Sequence, residues 1–328
     1  MSKTSYQQDA PIQSNCEPVV RIGLVGCGRL AEVGYVPAFR QAAGVTLVGV
    51  ADINQSRCYD IAPQVPAYDG IQSMVLACSV DALVIATPTR CHLADARYGA
   101  QKHLPTLLEK PPGVNLSEAQ ALLELTPQPW IAFNRRFDPE IVHIKQGLPS
   151  KGKLCLRIGL YYRRKSWNPF DMCDDALLDL GPHLIDLARW LTNSSIRSVK
   201  GLSLEQGRAE FELELERGNA VIACSSNSPY REVVQVQLGN GQEVGSFNRG
   251  GIVAGIIGKL RPTQENPLVN SLIGQLEAFG QAVRRKTGTT SLGTVRDGLV
   301  VMSVIEAVRQ STKQGGVLCP ILKSGRVD

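Results

Sequence analysis

The stretch Gly26-Cys27-Gly28-Arg29-Leu30-Ala31 has the spacing GxGxxA, lies directly after the apolar run Val19 to Val25, and opens a segment whose apolar residues recur at helical spacing. In that context the glycines have a use. The first permits a tight turn and the second lets backbone amides approach a pyrophosphate. Small Ala31 lets the helix pack on the strand while its amino end, with Arg29 and Leu30, faces the anion. An ordinary glycine turn is the plain alternative. Asp52 follows the next apolar run, Val45 to Ala51. A carboxylate there accepts both ribose hydroxyls of a dinucleotide and repels a 2′-phosphate. NAD is therefore the expected cofactor, with Arg57 the residue that would soften the choice toward NADP.

Another apolar run ends in Glu109-Lys110-Pro111. Open α/β sheets hold ligands beyond the carboxyl ends of their strands, so Lys110 is a candidate site cation, with a surface lysine as the alternative. In Leu178-Asp179-Leu180-Gly181-Pro182-His183-Leu184-Ile185-Asp186, the pair Gly181-Pro182 reads as a helix start with proline at the first position. His183 then falls in the first turn, off the apolar stripe of Leu184, Leu187, Ala188 and Leu191. The positive end of the helix dipole disfavours imidazolium there and suits a neutral general base, while Asp179 pulls the other way. A structural histidine is the alternative.

The elements that must position these groups follow from periodicity. Strand-like runs at 19–25, 45–51, 82–86 and 106–108 alternate with helix-compatible segments at 93–101 and 117–125, the last opened by Ser117-Glu118. Alternation of this length predicts parallel βαβ units and an α/β, doubly wound Rossmann domain over residues 19–134, after a flexible tail at 1–18. The second half, 135–328, changes character. Runs at 154–162, 208–216, 219–226 and 233–238 read as strands of an open, mainly antiparallel sheet. Helices at about 177–191, 268–285 and 294–312 are expected to cover one face, giving an α+β substrate and oligomerisation domain whose last helix and tail pack back on the first domain.

Composition excludes several classes. The chain has 328 residues, is 43% hydrophobic and 20% charged, and contains no run of 18 apolar residues, which argues for a globular chain with no membrane association. The polar start lacks a signal-peptide core, so a cytoplasmic location is expected. Nine cysteines without a CxxC pair read as reduced thiols, and no metal is expected. The net charge of +5 is modest and the basic clusters at 163–165 and 284–286 lack interleaved aromatics, so no nucleic-acid partner is expected.

GxGxxA taken together with ALVIATPTRCHLADA (82–96), LLEKP (107–111), LLDLGPHLIDLARWL (177–191), QLEAFGQAVRR (275–285) and DGLVVMSVIEAVRQS (297–311) resembles the Gfo/Idh/MocA oxidoreductase family, of glucose-fructose oxidoreductase and inositol dehydrogenase type. The resemblance spans residues 20–320. It implies an NAD(P)-dependent dehydrogenase or reductase that moves hydride between nicotinamide and a hydroxyl, carbonyl or imine of a polar small molecule, above all a sugar, amino sugar or cyclitol. It also implies a homo-oligomer, dimer or tetramer. Lys110, Asp179 and His183 become the catalytic trio: His183 takes the hydroxyl proton, Lys110 stabilises the oxyanion and Asp179 orients either one. Thr87, Pro88, Glu109 and Lys110 join the cofactor set. Arg136 and Trp167 are carried over as substrate-side positions, with core packing the alternative for Trp167, and His92 is read as structural.

The sequence also departs from the family pattern. Glycines common before the Asp179 segment are replaced by Cys173-Asp174-Asp175, Asn168 stands where arginine is frequent, and Gly34 occupies the position of a frequent histidine. If Asp175, with Asp171 and Asp174, flanks the pocket, the field favours a cationic or amino-bearing substrate; the alternative is an exposed acidic loop. The altered segment also motivates a rival function, a catalytically silent dinucleotide-binding sensor or scaffold.

Overall fold

The computed structural model describes residues 18–163, 174–250, 266–285 and 291–321. Trp167, with Asn168, Asp171 and Cys173, lies outside the described residues, as does all of the expected tail but its last residue. Six parallel strands form the first sheet: β1 (Val20–Val25), β2 (Val45–Ala51), β3 (Ala67–Tyr68), β4 (Ala82–Ile85), β5 (Thr106–Glu109) and β6 (Trp130–Ala132), in the order β3-β2-β1-β4-β5-β6. Every residue of β4 and β5 is buried. This is why β4 is uniformly apolar rather than alternating, and why Leu107 and Leu108 of β5 adjoin: a parallel sheet is covered on both faces. The order reverses at β1 and β4, and the crevice outside their carboxyl ends is where such sheets bind ligands.

The helix after β1 opens as a π-helical turn, Ala31–Tyr35, and continues as α1 (Val36–Phe39). The helices α2 (Gln55–Ile61), α3 (Ile71–Ala77), α4 (His92–Gln101) and α5 (Leu116–Ala121) complete the crossovers. The cap of α5 is Asn115, whose side chain accepts from Glu118 N, rather than Ser117.

After α6 (Pro139–Gly147) come β7 (Leu154–Arg163), α7 (Ala176–Thr192), β8 (Ile196–Glu205), β9 (Arg208–Leu215), β10 (Gly218–Ser225), β11 (Asn227–Leu238), β12 (Glu243–Gly250), α8 (Pro267–Arg285), α9 (Val295–Lys313) and β13 (Cys319–Pro320). The seven strands form one sheet, β12-β11-β7-β10-β9-β8-β13, with all neighbours antiparallel except the central pair β7 and β10, which runs parallel. In β9, Ala209, Phe211, Leu213 and Leu215 are buried while the alternate Arg208, Glu210, Glu212 and Glu214 point away. The inward row meets α7, and α9 packs on β8 and α7.

Helix α8 departs from the expected arrangement. Instead of covering the second sheet, it lies on α1 and the turn before it, burying Leu272, Leu276 and Phe279 with Tyr35, Val36 and Val45. The Phe279 ring meets Trp130 edge-on at 5.7 Å. Gly34 lies in this seam: a Cβ there would stand 2.7 Å from Leu272 Cδ1, so the leucine side chain would have to shift to admit one. Among the described residues every cysteine is free, and no helix is long and apolar enough to cross a membrane.

Candidate active site

The cradle after β1 has the two kinds of glycine its spacing implies. Gly26 has φ +96°, and a Cβ on it would meet the Ala86 carbonyl oxygen at 2.5 Å and Thr87 N at 2.7 Å, so only glycine fits between the β1 and β4 turns. A Cβ on Gly28 would meet nothing within 4 Å: its backbone borders open space at the amino end of a helix, the room a pyrophosphate needs. Ala31 is buried against the sheet. Asp52 is fixed by Cys27 N–H on Oδ2 (2.7 Å) and Asn54 N–H on Oδ1 (2.8 Å), which joins the ribose-binding carboxylate to the cradle itself.

Both nearby arginines are engaged. Arg57 pairs with Glu32 at 3.0 Å and with Asp60 at 3.7 Å, and Arg29 pairs with Glu32 at 3.2 Å. The hydrogen bond from Arg57 holds the Glu32 carboxyl below its usual value. The loop after β4 is stitched to its surroundings. Thr87 Oγ1 donates to Asp95 (2.7 Å), Pro88 leads a short 3₁₀ turn, and Thr89 Oγ1 donates to Asp174 (2.8 Å) from the second half. His92, 1% exposed, sits between the carbonyls of Pro111 (Nδ1, 2.8 Å) and Thr87 (Nε2, 2.9 Å), and burial pushes its pKa down. This is the structural role the sequence suggested, with both loops flanking the crevice tied through one ring.

At the end of β5 the chain divides its two charges. Glu109 turns inward: Tyr35 O–H donates to Oε1 (2.6 Å), its own neighbour Lys110 N–H donates to Oε2 (3.1 Å), and burial pushes its carboxyl up. Lys110 turns the other way and reaches α7, donating from Nζ to the Asp179 carbonyl (2.9 Å) and to Asp179 Oδ1 (3.3 Å). Tyr162 O–H, from β7, donates to Asp179 Oδ2.

Helix α7 covers the expected span of 177–191, but it begins at Ala176, five residues before the Gly181-Pro182 pair that reads as a helix start. Asp175 is its N-cap, accepting from Leu178 N at 2.7 Å, and Pro182 lies inside the helix. The correction moves the dipole argument from His183 to Asp179, which occupies the first turn. His183 lies four residues on, over the same face. Its imidazole is held neutral for other reasons: burial first, then the charges of Lys110 and Arg135 push its pKa well below the ordinary value near 6.5. Nδ1 is buried with no hydrogen-bond partner. Buried polar atoms are nearly always paired, so an orphan beside a lysine and a carboxylate marks a place where a ligand completes the bonding.

Two substrate-side candidates are engaged in structural bonds. Arg136, 5% exposed at its side chain, is bonded to Asp186 (2.5 and 2.8 Å), Asp297 (3.1 Å) and the Leu292 carbonyl (3.3 Å) and braces the core. Its neighbour Arg135 is the one whose charge reaches His183, while pairing with Glu232 at 2.7 Å. Asp175 caps α7 and pairs with Arg309 at 2.8 Å, so with Asp174 bonded to Thr89 neither is a bare carboxylate offered to a cation. Tyr162 was missed, although period two in β7 would have found it: Leu154, Leu156, Ile158 and Leu160 point inward, and the next residue in that row carries a hydroxyl. Among the described residues no group of three His, Cys, Asp or Glu side chains is placed to hold a metal ion.

Residues 20–128 match the profile of an oxidoreductase family with an NAD-binding Rossmann fold, Gfo/Idh/MocA. The rhizopine catabolism protein MocA of Rhizobium meliloti is 26% identical over 313 residues, 88% of this chain and 94% of that protein. Over residues 20–128 the chain thus matches the NAD-binding Rossmann domain of the Gfo/Idh/MocA oxidoreductases, and it is similar to one of their namesakes over most of its length. Other curated relatives align over less, as with the UDP-N-acetylglucosamine 3-dehydrogenase of Acidithiobacillus ferrooxidans, 28% identical over 189 residues, 56% of this chain and 58% of that protein. Among solved structures, GenD2 from gentamicin A biosynthesis, in complex with NAD, superposes with a TM-score of 0.78 at 18% identity, covering 96% of this chain and all of that one. The likeness of fold thus extends through the second sheet as well as the Rossmann domain. The cradle, Asp52 and the unpartnered His183 nitrogen fit the NAD that the family binds.

Proposed function

We propose that the chain is an NAD-dependent dehydrogenase or reductase acting on a CH–OH group, or its carbonyl counterpart, of a polar small molecule: a sugar, amino sugar or cyclitol. The observation that carries this reading is the convergence at the carboxyl edge of the Rossmann sheet of Lys110, Asp179 and a neutral His183 with a buried, unpaired nitrogen. Relatives named for 3-dehydrogenation of UDP-N-acetylglucosamine and 2-dehydrogenation of inositol support the substrate class. Residues 19–134 are the nucleotide-binding unit and 135–328 supply the substrate wall and the surface for a homo-oligomer. A cytoplasmic location suits this chemistry.

The residues divide the work as follows. Gly26, Gly28 and Ala31 hold the pyrophosphate against helix amides, Asp52 takes the ribose hydroxyls, and Thr87 with Pro88 lines the opposite wall. Arg29 and Arg57 are both committed to Glu32, which supports NAD over NADP. Bound NAD supplies the hydride acceptor. His183, neutral, accepts the hydroxyl proton at a ring nitrogen, and such proton transfer is worth about 10²–10⁴ in rate. Lys110 has two of its three N–H donors on Asp179, leaving one for the substrate oxygen on which negative charge develops. The silent-protein rival loses its motive, because Asp174 and Asp175 of the altered segment bridge and cap structure while the trio stays intact.

The test is a panel of cyclitols, aldoses and amino sugars with NAD⁺, read as the absorbance of reduced nicotinamide, in parallel with the corresponding carbonyl compounds and NADH. Turnover of at least one pair, abolished in Lys110→Met with NADH binding retained, is expected. No turnover in either direction across the panel counts against the proposal.

A further inference from the structure

We propose that Tyr162 is a positioning residue for the catalytic pair, its hydroxyl clamping Asp179 so that the opposite carboxylate oxygen and the backbone carbonyl of the same residue aim Lys110 at the substrate. The inference rests on the dehydrogenase reading for its consequence, but its geometry is independent of it. Asp179, 5% exposed, divides its carboxylate: Oδ1 receives Lys110 Nζ at 3.3 Å and Oδ2 receives Tyr162 O–H. Lys110 also reaches the Asp179 carbonyl at 2.9 Å, so two bonds to one residue set the direction of its ammonium group. A short carboxylate stem rotates about its terminal torsion unless both oxygens are held. Without the phenol, Oδ2 of a buried carboxylate loses a donor, and the least costly remedy is to turn both oxygens toward Lys110, drawing the ammonium off the substrate oxygen.

The fold makes the clamp rigid. Tyr162 ends the inward row of β7, with its ring against the core under α7, while Asp179 sits in the first turn of α7, whose cap is fixed by Asp175. One end of the tyrosine is anchored in apolar packing and the other is polar, the arrangement in which this side chain best fixes a hydrogen bond. The clamp thus joins the second sheet to the lysine on the Rossmann sheet through a single carboxylate.

A double-mutant cycle tests this with Tyr162→Phe, Asp179→Asn and the combination. On kcat, Tyr162→Phe alone is expected to cost roughly 10–100-fold, with KM and the NADH dissociation constant changed by less than about 3-fold. In the Asp179→Asn background the same change should cost less than about 3-fold. The melting temperature supplies a readout that needs no turnover: a loss of roughly 3–6 °C for Tyr162→Phe should shrink by at least about half when Asp179 is already Asn. Equal losses in both backgrounds, or a loss that falls on KM rather than kcat, overturn the assignment and make Tyr162 a packing residue. Absence of any turnover by the wild type sinks the dehydrogenase reading instead, while coupled melting temperatures would still uphold the clamp.

Discussion

Replacing His183 by alanine separates catalysis from stability more cleanly than most active-site changes. The imidazole buries an Nδ1 with no hydrogen-bond partner among the described residues, so its removal relieves an unsatisfied group whose burial costs about 1–3 kcal/mol. Against this stands the loss of a partly exposed ring's packing, of similar size, so the net change in unfolding free energy should stay within about 1 kcal/mol. Turnover is another matter. Losing the proton acceptor should lower kcat by about 10²–10⁴, equivalent to about 2.7–5.4 kcal/mol of transition-state stabilisation. The pH dependence gives a second, signed check. The folded-state pKa of His183 lies well below 6.5, from burial, then Lys110 and Arg135, so the base stays unprotonated through the range where an ordinary histidine titrates. The acidic limb of kcat should fall below pH 6.5. Because the unfolded chain binds this proton and the native one does not, wild-type stability falls as pH drops below about 6.5, by at most about 1.4 kcal/mol per pH unit, until the depressed pKa is reached. His183→Ala should flatten that slope in urea titrations at a series of pH values. A variant that melts far below the wild type, or an acidic limb at or above 6.5, would refute the reasoning.

The two cradle glycines should respond in opposite ways. Gly28→Ala enters open space and should fold normally while losing most of the thermal shift produced by NADH; Gly26→Ala meets backbone at 2.5 Å and a left-handed φ, and should lower unfolding free energy by about 1–3 kcal/mol or more. Asp186→Ala strands the buried Arg136 guanidinium with only Asp297 and a carbonyl, and should cost about 3–5 kcal/mol in chemical denaturation; a change under about 1 kcal/mol would mean the brace is dispensable.

Much of the cofactor side was legible because its chemistry is local. Strand, GxGxxA and helix form one supersecondary unit, and Asp52 ends the strand beside it, so residue type and spacing carry the geometry. The start of α7 was misread because Gly181-Pro182 imitates a helix beginning, whereas Asp175, an ordinary carboxylate in an altered segment, does the capping. The engagement of Arg136 was not legible because its partners, Asp186 and Asp297, are remote in sequence and nothing local shows that its charge is already neutralised. The amphipathic stripe of α8 announces burial but not against which partner, because α1 and the turn before it are remote in sequence. Strand β8, with its irregular burial, and the two-residue β3 carry too little periodicity to be seen.

The central claim is a working NAD site in a family oxidoreductase, and the most direct measurement is a thermal-shift titration with NADH and NADPH separately, on protein shown by absorbance to be free of copurified nicotinamide. A ligand that binds only the native state at 100 times its dissociation constant adds about 2.7 kcal/mol of stability, a readily measured rise in melting temperature. NADH should raise the transition clearly and NADPH much less, since Asp52 is tied to the cradle where it would repel a 2′-phosphate and Arg57 is held by Glu32. A folded, cofactor-free sample that responds to neither would contradict the account.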